Sequence, residues 1–290
     1  MIAVAGVSGH TGRVVADALL QQGAAVRVIV RDERKGAEWK ARGADVAVAS
    51  LDDTTALTRA LSGAAAAYLM IPPAYAAPDL LAAQAVTRDA IVRAIAESGV
   101  GHVVFLSSIG AHQPSGTGPV RTLHDAEQAL RKASTPVTFL RAPYFLENWA
   151  QVLPVVTSQG VLPSFLPLDK SIETAATADI GEYAASLLSA PPPAATRIVE
   201  FGGPRPLTPR DVANDLATVT GRQVTPVQAP LDQVVPTFTS AGIPETAARL
   251  LEEMYGALAA DRMNFESPGA PHARGRRTPA DVLGPLLARS

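Results

Sequence analysis

A chain of 290 residues, 47 % of them hydrophobic, can build a sizeable core as one large domain or as a domain with a smaller companion. With 18 % charged residues and a formal net charge of -2, it has no strong field to draw nucleic acid or an anionic membrane. It contains no cysteine, which excludes disulfides, thiolate metal sites and a thiol nucleophile and suits a cytoplasmic protein.

The first predicted strand, "IAVAG" (Ile2–Gly6), has no basic segment ahead of it of the kind that opens a signal peptide. "GVSGHTGR" follows, with glycines at 6, 9 and 12, and then a helix carrying Val14, Val15, Ala18 and Leu19 on one face. Further strands are predicted at Val26–Val30, Asp45–Ala49 and Ala66–Ile71, with a helix at Thr54–Leu61. The apolar stretch Ala64–Pro78 is broken by prolines well short of the ~20 residues a membrane helix needs. A long helix over Ala77–Ser98, a strand at His102–Ser108, a helix at Thr122–Ala133 and a strand at Val137–Arg141 complete the series. Continuous apolar strands separated by helices predict a parallel sheet covered on both faces, a doubly wound α/β Rossmann sheet.

After about Pro143 the rhythm loosens. One helix opens at Thr177 with Asp179 in its first turn; another has Thr208 as N-cap, Pro209 at its first position, Asp211 in its first turn and Gly221 as its stop. Pro191–Ala195 reads as a loop, and the basic, turn-rich tail Pro268–Pro279 as a solvated segment. The division expected is a Rossmann domain over 1–145 and a smaller C-terminal α/β lobe over 146–290. That lobe would lie across the sheet's carboxyl edge and be able to return strands to the sheet.

The glycine turn sits where the first strand gives way to the first helix. There glycines permit positive φ and close approach of a pyrophosphate, and the helix's unpaired N–H groups point outward at its positive end. Because this turn opens an alternating β/α series, a bound dinucleotide is a better reading than a bare glycine turn. Gly6, Ser8, Gly9, His10, Thr11 and Gly12 are its candidate residues. The spacing is G-x-x-G-x-x-G, that of short-chain dehydrogenase/reductases. At the end of the second strand stand Arg31, Asp32, Arg34 and Lys35. A guanidinium suits a 2′-phosphate, so Arg31 and Lys35 point to NADP. Asp32 would mark NAD instead if the strand ran one residue further. Asp52, after the third strand, is placed to face the adenine amino group.

"AVAGVSGHTGR", "VIVRDERK", "VVFLSSIGA", "LRAPYFLENW" and "DIGEYAASLL" together resemble the NmrA-like family of atypical short-chain dehydrogenase/reductases, from Ile2 to about Gly221. Leu140–Asn148 is the most specific part, having no generic sheet-building reason to exist. The resemblance implies a Rossmann domain, a small C-terminal lobe and an NAD(P) site between them. By position it implies cofactor contacts at Gly6, Ser8, His10, Thr11, Arg31, Asp52, Ile71 and Ser107, and it places Tyr144, Phe145 and Asn148 near the nicotinamide or in the substrate cleft. The family includes NAD(P)H-dependent reductases of quinones, azo dyes and related acceptors, and non-catalytic dinucleotide sensors that dock on a regulatory protein.

The usual member of the wider superfamily pairs a serine with Y-x-x-x-K, whose tyrosine protonates a carbonyl while the lysine lowers its pKa. Ser108 matches the serine, but no Y-x-x-x-K follows it; Pro119 and Leu123 stand where Tyr and Lys belong. His124, with Glu127 three residues on, is one candidate acid, against a plain surface His–Glu pair. Tyr144 is the other, against a packing role. His102 and His112 have no carboxylate at useful spacing, the five histidines show no metal-ligand pattern, and G-x-S-x-G is absent. Three functions remain open. One is an NADPH-dependent oxidoreductase passing hydride directly to a small quinoid or aromatic acceptor. The second is a dinucleotide sensor with a protein partner. The third is an isomerase or dehydratase with tightly held cofactor.

Overall fold

Eight parallel strands form the central sheet of the computed structural model, which describes residues 1–267, 269 and 271–287. The first half supplies β1 (Ile2–Ala5), α1 (His10–Gln21), β2 (Val26–Val30), α2 (Ala37–Ala41), β3 (Asp45–Val48), α3 (Thr54–Leu61), β4 (Ala66–Met70), α4 (Leu80–Ser98), β5 (Val103–Ser108), α5 (Arg121–Leu130) and β6 (Val137–Ala142). The second half supplies β7 (Tyr144–Phe145), α6 (Leu153–Gln159), β8 (Val161–Ser164), β9 (Thr174–Ala175), α7 (Thr177–Ser189), β10 (Arg197–Gly202), α8 (Pro209–Thr220), β11 (Thr225–Gln228), α9 (Val234–Ser240), α10 (Glu245–Ala259), β12 (Ala273–Arg274) and α11 (Pro279–Leu287).

The strand order is β12-β10-β6-β5-β4-β1-β2-β3, the doubly wound arrangement expected from the β/α rhythm. Ile2 pairs with Val26 on one side and Ala66 on the other, so β1 lies at the point where the chain leaves β3 and crosses to β4. One sheet face buries Val4, Val28, Val104 and Leu140 under α1 and α7; the other buries Ile29, Leu69, Phe105 and Phe139 under α3, α4 and α5. The α7–α1 contact is close because residue 181 is glycine: a Cβ there would stand 2.6 Å from the Val14 Cβ. A separate cluster, including Leu146, Trp149, Leu153, Leu162, Val212 and Leu216, gathers α6, α8 and the short β8–β11 pair above the sheet.

Boundaries shift for local reasons. β1 stops at Ala5 because Gly6 turns away at φ +71°. α4 begins at Leu80 and not at Ala77, since the Asp79 carboxylate caps it by accepting the Ala82 N–H at 2.9 Å. α5 ends at Leu130, short of Ala133.

The tail corrects a larger expectation. Pro268 and Ala270 lie outside the described residues, but beyond them the tail is not simply solvated. Ala273–Arg274 adds a strand to β10, pairing with Phe201 and Gly202. Arg274 pairs with Glu173, and Arg277 with Asp179 and Glu182. Among the described residues no helix is long and apolar enough to cross a membrane.

Candidate dinucleotide and acceptor site

The glycine turn opens at the carboxyl edge between β1 and β4. The Gly9 N–H closes it on the Gly6 carbonyl at 2.9 Å, and α1 starts at the next residue. A Cβ on Gly12 would stand 2.5 Å from the carbonyl oxygens of both Ala5 and Gly6. The third glycine is therefore demanded by how closely α1 approaches β1, before any ligand is considered. Ser8 and His10 are exposed, and their side chains make no hydrogen bond among the described residues. Thr11 is buried, and its hydroxyl oxygen accepts the Tyr68 O–H from the middle of β4 at 3.0 Å. α1 has no acidic residue in its first turn, so its positive end is not neutralised from within. A phosphate fits this setting: outward N–H groups, small exposed side chains and an uncompensated helix dipole.

The end of β2 separates its charges. Asp32 caps the 3-10 turn Glu33–Gly36 by accepting the Arg34 N–H at 3.0 Å, and it also takes the Arg34 guanidinium. Those bonds hold the Asp32 carboxyl below its usual range. Arg31 and Lys35 are exposed and make no ion pair or side-chain hydrogen bond among the described residues, Lys35 only adding its field at Asp32. The anion that would suit a bare ribose is thus engaged, and two cations are left for a 2′-phosphate. Asp52 is exposed just past β3, and Ile71 is buried just past β4.

Ser107 and Ser108 leave β5 on opposite faces. The Ser107 hydroxyl donates inward to Glu127 at 2.6 Å, while that of Ser108 donates to the Ile109 carbonyl at 3.0 Å. Glu127 is only 1 % exposed and takes Arg141 in a fork, from Nε at 2.9 Å and Nη2 at 2.7 Å. The expected surface His124–Glu127 pair is therefore wrong: Glu127 turns into the protein to meet Arg141 of β6. His124 binds the Ala111 carbonyl through Nδ1 at 2.9 Å. A carbonyl only accepts, so Nδ1 carries the proton of this bond.

Beside Tyr144, at the carboxyl end of β6, lies an aromatic cluster, most of whose members the sequence did not announce. The turn Gly118–Val120, where Pro119 replaces the usual tyrosine, is covered by α10: a Cβ on Gly118 would meet the Leu250 carbonyl at 2.0 Å. α10 brings Tyr255 to Tyr144, and both pack on the cluster that contains Ala111, Val120 and Met263. Tyr255 lies 5.3 Å from the Phe165 ring and stacks at 6.5 Å on Phe238; Tyr144 meets the edge of Trp149 at 6.3 Å. Burial pushes the Tyr144 hydroxyl well above its usual pKa, Tyr255 and Tyr75 add to the rise, and a hydrogen bond from Asn148 opposes it. Tyr75 comes from the loop after β4. Asn148 is exposed at the rim, and Phe145 packs instead toward the sheet core beside α7. Tyr75, Phe165, Phe238 and Tyr255 come from separate segments, and no spacing in the sequence links them.

Away from this edge, a broad cleft of about 740 Å³ runs past Asp179, Glu182, Tyr183, Phe201 and Arg274. The paired charges of Arg277, Asp179 and Glu182 occupy it, so it offers no comparable set of free groups. Among the described residues no three of His, Asp or Glu are grouped to hold a metal ion.

The chain matches the NmrA-like family over residues 1–269. It is 27 % identical over 277 residues to the NAD(P)H azoreductase of Xenophilus azovorans, covering 95 % of this chain and 93 % of that protein. Its fold superposes on triphenylmethane reductase of Citrobacter sp. with a TM-score of 0.83 at 20 % identity, covering 99 % of each chain. It also superposes on the NADPH complex of the NADPH-dependent quinone oxidoreductase of Escherichia coli, with a TM-score of 0.79 at 23 % identity, covering 99 % of this chain and 95 % of that one.

Proposed function

The chain belongs to the NmrA-like family, and from that premise we propose that it is an NADPH-dependent reductase of small planar acceptors, quinoid or dye-like. The observation that carries this reading is one juxtaposition. A glycine turn suited to a phosphate, with exposed Arg31 and Lys35 at the end of β2, lies on the same carboxyl edge as the aromatic cluster around Tyr144, which follows β6. Gly6, Ser8, Gly9, His10, Thr11 and Gly12 would line the pyrophosphate, and Arg31 and Lys35 the 2′-phosphate. Asp52 would lie toward the adenine, and Ile71 and Ser107 along the path to the cluster. When bound, the reduced cofactor supplies a hydride. The cluster's role is to hold a flat acceptor against it, a task of proximity and stacking.

The similar proteins support this choice: one is an azoreductase, one a quinone oxidoreductase and one a triphenylmethane reductase. Such acceptors take hydride without the Ser-Tyr-Lys proton chemistry that Pro119 and Leu123 rule out here. A steady-state assay with NADPH against a panel of quinones, azo dyes and triarylmethane dyes tests the reading, and turnover of at least one class is expected. The missing Tyr and Lys also suit a dinucleotide sensor with a protein partner. Tight NADP binding with no turnover of any acceptor would establish that function instead.

A further inference from the structure

We propose that Gln84 is a positioning residue for the dinucleotide site. One arm of its amide clamps the Pro72 carbonyl, and a water held between α4 and α5 completes the other arm. The clamp's effect on cofactor affinity rests on the NADPH reading above; its effect on the loop does not.

The loop between β4 and α4 gives the reason for a clamp. Met70 ends β4 and packs on the glycine turn, its sulfur 3.6 Å from where a Cβ on Gly6 would stand. Two residues further on come Pro72 and Pro73, which carry no N–H and so cannot donate to a ladder or a turn. The chain leaving the glycine turn must therefore be fixed by side chains. Gln84 Nε2, on α4, donates to the Pro72 carbonyl at 3.2 Å. At the loop's far end the Thr246 hydroxyl, on α10, donates to the Pro78 carbonyl at 2.8 Å. Gln84 thus holds the end next to the glycine turn, and Thr246 the end next to the helix that carries Tyr255.

Gln84 is only 7 % exposed, and its Oε1 has no hydrogen-bond partner among the described residues. Turning the amide over would not cure this, because the oxygen would then face the Pro72 carbonyl and set two acceptors together. Gln84 lines a cavity of about 40 Å³ between α4 and α5, room for a water or two. Arg88 and Arg121 bring donors to its wall, and Thr122 and Asp125 bring acceptors. An anion would meet Asp125 and the bare Gln84 oxygen. A cation would meet two guanidinium groups. A neutral molecule that both donates and accepts suits every wall, and at this size that molecule is water.

Two variants separate the clamp from mere packing. Gln84→Met keeps the length and removes both bonds. Gln84→Glu keeps the shape, but only its protonated carboxyl has a proton to give Pro72. In Gln84→Met the loop amides of Ala74–Ala77 should exchange with deuterium about tenfold faster, with the sheet amides unchanged, and the Kd for NADPH should rise about tenfold. The Kd of Gln84→Glu, divided by the wild-type value at the same pH, should rise with pH as the carboxyl loses its proton; a packing role gives no such slope. A crystal structure of the wild type should show a water within hydrogen-bonding distance of Gln84 Oε1. Unchanged loop exchange in Gln84→Met, or a Gln84→Glu ratio that is flat with pH, would overturn the clamp, and a dry cavity would overturn the water. If the wild type binds no NADPH, the dinucleotide reading falls on its own, and the loop exchange then decides Gln84.

Discussion

The Glu147 carboxylate accepts the backbone N–H of Thr177 at 2.9 Å and its hydroxyl at 2.6 Å, across 30 residues of chain. α7 has Ala176 at its N-cap and no side-chain cap of its own, so Glu147 supplies both the cap and a negative charge at the helix's positive end. The segment Leu140–Asn148 is in this way bound into the sheet layer at two points, by Arg141 below and Glu147 above. Tyr144 and Asn148 remain for the cleft. Glu147→Ala should lower stability by about 1–2 kcal/mol. Chemical denaturation measures this, and an unchanged midpoint would show that water caps α7 equally well.

The β/α rhythm was legible because buried parallel strands are continuous β-branched runs, and the glycine turn because its spacing is local. What escaped was decided by partners distant in the chain. Glu127 reads as a surface mate of His124 from helical spacing alone; only the side chains of Ser107 and Arg141, on two strands, show why it turns inward. The tail's arginines look solvated until Glu173 and Asp179 are brought beside them. Of the aromatic cluster only the Tyr144 segment had a local signal, because Tyr75, Phe165, Phe238 and Tyr255 meet it only after the second half folds over the carboxyl edge.

The Arg141 site carries a large energetic stake. Its guanidinium forks onto Glu127 and lies 3.6 Å from Glu200, which is fully buried and accepts the N–H groups of Glu266 at 2.7 Å and Ser267 at 3.0 Å. Arg141→Met leaves Glu200 without a cation and Glu127 with only Arg131 at 3.6 Å, and should cost about 3–5 kcal/mol. Adding Glu127→Gln should restore part of that loss, since one uncompensated charge is removed. A double variant as unstable as the sum of the singles would show that the two residues are not coupled.

His102, 1 % exposed, hydrogen-bonds the Thr138 hydroxyl at 2.9 Å. Burial, helped by Arg197, lowers its pKa from 6.5 to about 4. The folded state thus requires the neutral ring, and below 6.5 protons bind the unfolded chain more readily. The contribution is full above that value and is lost as pH falls toward 4, to a maximum of roughly 3 kcal/mol. His102→Gln should flatten the stability-versus-pH curve in this window relative to the wild type. Parallel curves would place the acid sensitivity elsewhere.

Cofactor choice turns on the end of β2. Asp32 is engaged by Arg34, so Arg31→Ala should weaken NADPH by about 1–3 kcal/mol while leaving NADH nearly unaffected. Lys35→Ala should act in the same direction but less, as an ammonium makes a single contact. Calorimetric titration with both dinucleotides reads this directly. Equal losses for the two would remove Arg31 from the 2′-phosphate, and a wild-type preference for NADH would transfer the role to Asp32.

Turnover should need no Ser-Tyr-Lys set. The Ser108 hydroxyl already donates to the Ile109 carbonyl, and His124 commits its Nδ1 proton to the Ala111 carbonyl. Ser108→Ala and His124→Ala are therefore expected to lower kcat by about tenfold or less, below the roughly 10²–10⁴-fold of a group that transfers the proton. Tyr144→Ala should cost more than either, because it removes a ring of the aromatic cluster and its edge contact with Trp149 together. Asn148→Ala, at the exposed end of the same segment, should likewise cost more than Ser108→Ala. Phe145→Ala should act through the packing beside α7 and raise KM for NADPH before it alters kcat. A thousandfold loss of kcat in His124→Ala, with NADPH affinity intact, would reverse this order and make the imidazole the acid. The ring would then have to be an imidazolium during turnover, donating from Nε2 while Nδ1 stays on the Ala111 carbonyl.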